Sequence, residues 1–365
     1  ELGAKDVVMD WRDDVCSREH WLHADDSVFD AVYPWDVEKN TQLGREGAGF
    51  ISVSASDPEN LRGVSTDRLR RWEEASGRDQ KEFYRTMMAN GFPWCVVSVP
   101  VLSWAKKVFP NDGDAAAMEK LWNAIFKTVR VTEGSDAVEA WRAHCAYLDE
   151  MAGKLNALQL KQVRYKNALG TDVVVGLPEE HVWLAGADTA RSGVRFVANM
   201  PTEEVFSAPK RDAVDGVLAA SKPLALNGNV IEGIRLTLEH GRIVGIHADT
   251  NEDVLRQAIE TDEGAHYLGE IALVPVDSPI AQSGLLFYNT LFDENAACHF
   301  AFGQAYPACV PNGDNLSEEE LVRRGINAVS NTHVDFMVGT EDLSIIGMTK
   351  DGRDVVVFEN GRFAL

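Results

Sequence analysis

The residues best suited to chemistry lie where acidic side chains and histidines interrupt apolar sequence. They occur in residues 198–209, 266–306 and 331–339. The candidates are Glu203, Glu204, Glu270, His299, Tyr306, His333 and Asp335. A buried charge is costly unless it is paired, hydrogen-bonded or bound to metal. We therefore predict that the three stretches come together in one metal site.

His333 and Asp335 are separated by one residue. In an extended segment, residues i and i+2 project from the same face, so the imidazole and the carboxylate converge. The flanking residues Val334, Phe336 and Met337 are apolar, which favours an enclosed position. Taken alone, the pair favours a His–Asp hydrogen bond that fixes a turn, since such pairs are common.

Glu203 and Glu204 are consecutive acidic residues after a proline. Such a pair usually belongs to a solvated loop or to the first turn of a helix, where acidic side chains are favoured. Taken alone, this motif is a weak indication of a site.

Glu270 and His299 stand in more apolar surroundings. Glu270 follows Gly269 within the sequence LGEIALVP, and a glycine there permits close approach of a ligand or of another backbone. His299 is surrounded by Ala, Cys and Phe, where a hydrogen-bonded core histidine is the usual interpretation. Asp293 and Glu294, just before His299, are interpreted as local structure.

With one carboxylate counted from the Glu203–Glu204 pair, these residues supply two glutamates, one aspartate and two histidines. Nitrogen and oxygen ligands of this kind suit borderline or hard divalent ions. A pair of such ions usually shares a carboxylate and a water. The sequence therefore predicts a dinuclear metal site with a bridging water or hydroxide.

The composition excludes several classes of function. The net charge of −22 argues against nucleic acid, which is bound by basic residues. No apolar run approaches the length of a membrane span, so we expect no membrane partner. The five cysteines are dispersed and form no CxxC motif, which indicates reduced thiols and a cytoplasmic location.

Periodicity predicts an α/β protein (α+β overall) of two domains, with a boundary near residue 158. Residues 1–158 are predicted to form an α/β layered domain. Its elements are strands over residues 6–11 and 95–102, a helix ending at Gly91, and helices over residues 114–128 and 135–158.

Residues 159–365 are predicted to form a β-rich catalytic domain. Its short strands are separated by turn dipeptides, namely Asn227-Gly228, His240-Gly241, Asp351-Gly352 and Asn360-Gly361. Helices are expected over residues 253–259 and 317–327, the second beginning with a Ser317–Glu320 capping box.

Four motifs resemble one known family in their order along the chain. They are PTEEVF, LGE-x-ALV, NTLFDENAACH-x-AFG-x-AY and H-x-DFM-x-G. They are similar to those of the metallo-aminopeptidase family that contains aminopeptidase T, aminopeptidase S and PepS. The likeness is looser over the first domain. Family members carry more upstream chain, so we expect the first domain to lack some of it.

The resemblance implies a set of site residues. The metal ligands carried over are Glu204, Glu270, His299, His333 and Asp335, and Tyr306 matches a tyrosine required for activity. The implied activity is removal of N-terminal residues from peptides with a free N-terminus. The implied cofactors are two divalent metal ions, zinc or cobalt before manganese or magnesium, and family members are cytoplasmic homodimers.

The expected mechanism has two metals sharing Glu270 and a water. The Tyr306 hydroxyl donates to the developing oxyanion. Glu203, beside a ligand but not carried over as one, is the candidate general base.

Three other functions remain open from the residues alone. One is another dinuclear-metal hydrolase, an amidase or a phosphoesterase, using the same ligands. Another is a Cys–His hydrolase using Cys298 or Cys145. The last is a binding module with a structural metal, although structural sites are usually rich in cysteine.

Overall fold

The computed structural model describes residues 3–365, in which eleven α-helices and nineteen β-strands are formed. The helices are α1 (Asp14–His23), α2 (Pro34–Arg45), α3 (Thr66–Asp79), α4 (Lys81–Met88), α5 (Leu102–Val108), α6 (Asp114–Thr128), α7 (Ala137–Leu158), α8 (Glu252–Ile259), α9 (Pro279–Ser283), α10 (Thr290–Asp293) and α11 (Glu318–Arg324). The mixture confirms the predicted α/β class.

The strands are shorter than the helices and lie mostly in the second half of the chain. They are β1 (Phe50–Ser54), β2 (Trp94–Ser98), β3 (Leu160–Lys166), β4 (Asp172–Gly176), β5 (Leu184–Ala185), β6 (Asp188–Thr189), β7 (Arg195–Phe196), β8 (Val205–Ser207), β9 (Val214–Ala219), β10 (Leu224–Leu226), β11 (Asn229–Ile231), β12 (Arg235–Glu239), β13 (Arg242–His247), β14 (Leu268–Leu273), β15 (His299–Gly303), β16 (His333–Met337), β17 (Ser344–Thr349), β18 (Asp354–Glu359) and β19 (Arg362–Phe363).

The first half of the chain is a small parallel layer covered by helices. Strands β1 and β2 pair in parallel, with Phe50 opposite Trp94. Helix α6 has the predicted bounds, and α7 begins two residues later than predicted because Asp136 is its N-cap and accepts from the N–H groups of Val138 and Glu139.

Two predictions for the first half are wrong. Residues 6–11 form no strand, since no described residue pairs with them. The single helix expected to end at Gly91 is two helices, α3 and α4, which meet at Gln80, where φ is −99° and ψ is 10°. The left-handed residue after α4 is Asn90 (φ 51°) rather than Gly91.

The second half contains two large antiparallel sheets and two further ones, β6-β7 and β10-β11, of two strands each. The larger has eight strands in the order β13-β12-β9-β4-β3-β17-β18-β19. The four predicted turn dipeptides all join neighbouring strands, and the second residue of each has positive φ. The capping box at the start of α11 is also confirmed, since Ser317 and Glu320 each bond the other's backbone N–H.

The smaller sheet has five strands in the order β16-β15-β14-β8-β5. Its central strands β14 and β15 are buried along their whole length. They therefore have no solvated face, and any polar side chain on them must find its partner inside the protein.

The apolar cores cross the position predicted as a domain boundary. Helix α7, which ends at Leu158, packs its buried side chains into the core of the two large sheets. A second core joins Trp104 and Leu121 of the first half to Phe287 and Phe292 of the second. The division at residue 158 stays a prediction.

Within residues 3–365, no helix combines the length and the apolar character needed to cross a bilayer.

Candidate metal centre

The register of the five-stranded sheet brings the predicted ligands to one face. Glu270 on β14 and Asp335 on β16 both lie opposite Ala301 of β15. Residues opposite one another on neighbouring strands point to the same side. His299 and His333, each two residues from a member of this row, share that side. The small Ala301 side chain leaves the space between them open.

The other face of the same strands is apolar. Phe300 and Phe302 alternate with His299 and Ala301 and lie in the main core, where Phe336 packs beside them. Alternation along β15 and β16 thus separates a hydrophobic side from a side that carries the ligands, small residues and Met337.

A β-bulge at Gly269 turns Glu270 towards the ligand face. Leu268 pairs with Phe302 on the core side, but Glu270 pairs with Ala301 rather than with Phe300. Without the extra residue Glu270 would face the core. A Cβ at residue 269 would lie 2.5 Å from the carbonyl oxygens of Gly303 and Gln304, so only glycine fits there. The close backbone approach predicted at Gly269 is confirmed.

Glu204 reaches the cluster from the loop that enters β8. Two residues further on, Phe206 lies opposite Ala272, which shares the ligand face of β14. Glu204 thus ends above the neighbouring strand β14.

The candidate ligands form two groups that share one carboxylate. Oε1 of Glu270 lies 3.9 Å from Nε2 of His299, and its Oε2 lies 3.3 Å from Nε2 of His333. Oε2 of Glu204 is 3.0 Å from Nε2 of His299, and Oδ1 of Asp335 is 3.4 Å from Nε2 of His333. Within each group the ligand atoms lie within 4.8 Å of one another.

These separations suit metal ligation. Zinc holds nitrogen and oxygen ligands at about 2.0–2.2 Å, so two atoms on one ion are at most about 4.4 Å apart. Each pair measured between the histidine nitrogens and the carboxylates falls inside that limit.

Both histidines are held in the form that a metal needs. Nδ1 of His299 lies 3.1 Å from the carbonyl oxygen of Ala297, and Nδ1 of His333 lies 2.7 Å from that of Gln304. A carbonyl only accepts, so each Nδ1 carries the proton and donates it. Each Nε2 is then the nitrogen that faces the carboxylates, and a cation would bind it by displacing its proton.

One carboxylate oxygen in the cluster has no hydrogen-bond donor among the described residues. It is Oε2 of Glu204, which is buried; Nε2 of His299 is close to it but not aligned as a donor. A buried oxygen without a donor is costly, and a cation would satisfy it. The donor set, the tautomers and this unpaired oxygen all fit a divalent metal pair.

The electrostatics indicate excess negative charge. Burial raises the pKa of the Glu270 carboxyl to about 7, and the charge of Glu204 adds to the shift. Burial also raises the pKa of Glu294 well above its ordinary value, and the charges of Asp335 and Glu204 raise it further. Burial would lower the pKa of His299, but Glu204 and the other carboxylates raise it to about 10. Bound cations would relieve this repulsion.

Tyr306 lies beside the cluster. Its ring meets the His333 ring edge-on at 5.2 Å and the Phe206 ring at 5.7 Å. Burial raises the pKa of its hydroxyl above the ordinary value, so the group stays protonated and can donate a hydrogen bond. Tyr306 lines the same cavity as the candidate ligands.

Glu203 faces away from this cavity and is not among the residues that line it. Its Oε1 and Oε2 lie 2.5 and 2.8 Å from Nη1 and Nη2 of Arg130. A carboxylate held in this way is not available to a substrate. The position of Glu203 does not support the general-base role predicted for it.

Glu294, interpreted from the sequence as local structure, lies among the residues of the cavity wall. It lines the cavity together with the candidate ligands, whereas its neighbour Asp293 accepts from the N–H groups of Phe287 and Asn289 and is local structure as predicted. The available signal was a carboxylate five residues before His299 in apolar sequence. Glu294 is not selected from the sequence because it is adjacent to Asp293, and the two are interpreted together as local structure.

The cysteines predicted as alternative nucleophiles lie outside the cavity. Cys298 alternates with His299 and points to the core, where its thiol bonds the backbone of Val274. Burial raises its pKa to about 12. Cys145 is buried on α7. Neither can act as a thiolate on a substrate beside these histidines, so the Cys–His hydrolase is not supported.

Comparison with known families gives a match over almost the whole chain. Residues 1–363 match the family described as thermophilic metalloprotease (M29). Aminopeptidase AmpS of Bacillus subtilis (strain 168) is 44% identical over 364 residues, which is 100% of this chain and 88% of the relative. Aminopeptidase T of Thermus thermophilus is 40% identical over 367 residues, again 100% of this chain and 88% of the relative.

The fold has a similar solved relative. The structure of wild-type AmpT from Thermus thermophilus superposes with a TM-score of 0.89 at 39% identity. The match covers 98% of this chain and 86% of the other.

Proposed function

Because this chain belongs to the thermophilic metalloprotease family M29 and is a metallo-aminopeptidase, we propose that its buried carboxylate–histidine cluster holds two divalent ions. The observation that carries the proposal is the sharing of Glu270. Its two oxygens face two different histidines, and each histidine is accompanied by a further carboxylate.

In this proposal Glu204, Glu270 and His299 hold one ion, and Glu270, His333 and Asp335 hold the other. When bound, the two ions would supply an acidified shared water at neutral pH and would polarise the scissile carbonyl. Zinc or cobalt suits these ligands best, and manganese or magnesium also accepts nitrogen and oxygen.

The chain's own groups perform the proton transfers and position the peptide. The Tyr306 hydroxyl, which stays protonated, donates a hydrogen bond to the oxyanion that forms on the scissile carbonyl. Glu294 replaces Glu203 as our candidate general base. It lines the cavity beside the candidate ligands, and in this proposal it takes a proton from the attacking water and delivers it to the leaving amine.

The substrate is a peptide with a free N-terminus. The cavity is lined by the cluster carboxylates and by Asp188, and the chain carries a net charge of −22, so a terminal ammonium is attracted to it. An acylated N-terminus lacks that charge.

The test compares a peptide with its N-acetylated form. The protein should release the first residue of the free peptide only, lose this activity in a chelator, and regain it when Zn²⁺ or Co²⁺ is added. Equal hydrolysis of the blocked peptide would indicate an amidase or endopeptidase instead. Activity that survives complete metal removal would reject the metal mechanism.

We also infer a cytoplasmic homodimer. Within residues 3–365 all five cysteines are free thiols, which suits a reducing compartment. The dimer rests on family resemblance, and sedimentation of the purified protein tests it.

A further inference from the structure

A buried ion pair joins the first half of the chain to the loop that carries Glu204. Arg130 follows α6 in a left-handed conformation (φ 57°), and its guanidinium binds both oxygens of Glu203. The Glu203 side chain is 3% exposed and that of Arg130 is 18% exposed. Two parallel hydrogen bonds fix the direction of the carboxylate as well as its position.

His144 on α7 extends the contact to Thr202, the residue before Glu203 in the same loop. Its Nδ1 lies 3.0 Å from Nη2 of Arg130, which only donates, so Nδ1 is the acceptor. The proton is then on Nε2, which donates to the carbonyl oxygen of Thr202 at 2.8 Å. Arg130, His144 and Glu203 are called here the Arg130–His144–Glu203 network.

The opposite side of the loop is held as well. The N–H of Glu203 donates to Oδ1 of Asn295 at 2.7 Å, and Asn295 follows Glu294 of the cavity wall. The backbone from Thr202 to Glu204 is thus fixed on both sides, and none of these contacts involves the candidate ligand atoms of Glu204.

We propose that the Arg130–His144–Glu203 network positions Glu204, so that one of the two metal sites is built only when the first half of the chain holds the loop. Arg130 and His144 touch no candidate ligand, so they are positioning residues. The proposal rests on the proposed dinuclear site. It predicts an effect on the ion bound by Glu204, Glu270 and His299 and none on the ion bound by Glu270, His333 and Asp335.

Electrostatics and positioning predict opposite results for loss of Arg130. Removing a positive charge close to a cation site should strengthen cation binding. If Arg130 positions Glu204, its removal should weaken binding despite the gain in attraction. The sign of the change therefore separates the two effects.

The test titrates metal-free protein with Zn²⁺ by calorimetry, comparing wild type with Arg130→Met and Glu203→Gln. Both variants should bind one equivalent at least about tenfold more weakly, as is usual when the support of a ligand is lost, and the other equivalent unchanged. Arg130→Lys, which keeps the charge but not the paired geometry, should recover affinity only in part. Circular dichroism and thermal unfolding establish that each variant is folded.

A double variant, Arg130→Met with Glu203→Met, separates positioning from folding. Replacing both charges by apolar groups removes the cost of an unpaired buried charge, so thermal stability should recover. Affinity for the weakened equivalent should remain low. Recovery of metal affinity together with stability would overturn the proposal, as would tighter binding or equal weakening of both equivalents in Arg130→Met.

The matched control is Arg195→Met. It breaks an ion pair with Asp149 of the same helix α7, but both partners are exposed, and it should change neither equivalent. If wild type binds fewer than two equivalents, the dinuclear proposal fails. A wild type that binds two equivalents and an Arg130→Met variant that binds both normally would reject only the positioning role.

Discussion

Glu203 and Glu204 are consecutive in the chain, yet their carboxylates contact different halves of the protein. Glu203 binds Arg130, which follows α6, whereas Glu204 lies 3.0 Å from His299 at the start of β15. The loop therefore presents one carboxylate to the candidate metal site and anchors the other. This leaves the proton transfer to another group.

Glu294→Gln should keep both metal ions and lose turnover. The amide cannot take a proton from water, and loss of a general base usually costs about 10²–10⁴-fold in rate. Steady-state kinetics and metal content of the same preparation check this. An unchanged kcat would exclude Glu294 as the base, and loss of metal would make it a ligand instead.

Tyr306→Phe should lower kcat by about 10²–10³-fold with metal content unchanged, because it removes one donor to the oxyanion while the ring keeps its contacts with His333 and Phe206. KM should change little, since the hydrogen bond is strongest in the transition state. Tyr147→Phe, a change on the exposed side of α7, is the control. A normal kcat in Tyr306→Phe would assign this tyrosine to packing.

Gly269→Ala should destabilise the protein and weaken metal binding. The added Cβ meets two carbonyl oxygens at 2.5 Å, so β14 or β15 must move, at a cost of about 1–3 kcal/mol in the free energy of unfolding. The shift moves Glu270, which both metal groups use. Thermal unfolding and Zn²⁺ titration measure the two effects.

Gly153→Ala is the matched control. It lies within α7, and apart from its chain neighbours and the backbone of its own helix no heavy atom of the described residues comes within 4 Å of its added Cβ. Alanine favours helix over glycine by up to about 1 kcal/mol, so this variant should be as stable as wild type or more so. A Gly269→Ala variant with wild-type unfolding temperature and metal affinity would show that the bulge does not depend on glycine.

Protonation of His144 should lower the free energy of unfolding in mild acid. Burial lowers the pKa of His144 to about 4, and the charge of Arg130 adds to the effect. Below pH 6.5 the unfolded chain takes up a proton that the folded protein excludes until about pH 4. The free energy of unfolding is therefore unaffected by protonation of His144 above pH 6.5, and it falls by roughly 3 kcal/mol in total as the pH falls to about 4.

Urea unfolding of wild type and His144→Gln at pH 7 and pH 4.5 checks this. The free energy of unfolding should fall less steeply with acid in the variant, because glutamine does not titrate. The metal ligands are present in both proteins, so their protonation cancels in the comparison. His240→Gln, a change at a side chain that is 93% exposed, should behave as wild type. Equal slopes in all three proteins would contradict the prediction.

Rules that use only neighbouring residues correctly predicted turns, a helix cap and the side chains that share one face of a strand. The turn at Asn360-Gly361 follows from a backbone conformation that few residues adopt, and the cap at Ser317 follows from side chains that bond nearby backbone N–H groups. The convergence of His333 and Asp335 follows from the period of a strand. The cost of burying their charges predicted that the three stretches meet, and resemblance to the family supplied the ligand set, which no local rule contains.

The features that were not predicted correctly are set by contacts between residues that are distant in sequence. Strand-like composition at residues 6–11 forms no strand because a strand requires a hydrogen-bonded neighbour. The direction of Glu203 is set by Arg130, 73 residues away, and the loop before β8 has no regular period from which to infer it. The role of Glu294 depends on a fold that brings it over the neighbouring strands.

The central claim is that two ions share Glu270. The most direct test is the Zn²⁺ content per chain of wild type and Glu270→Ala after saturation and removal of free metal. The account predicts two ions in wild type and none held tightly in the variant, because each group loses one of its three ligands. A Glu270→Ala protein that retains both ions would contradict it.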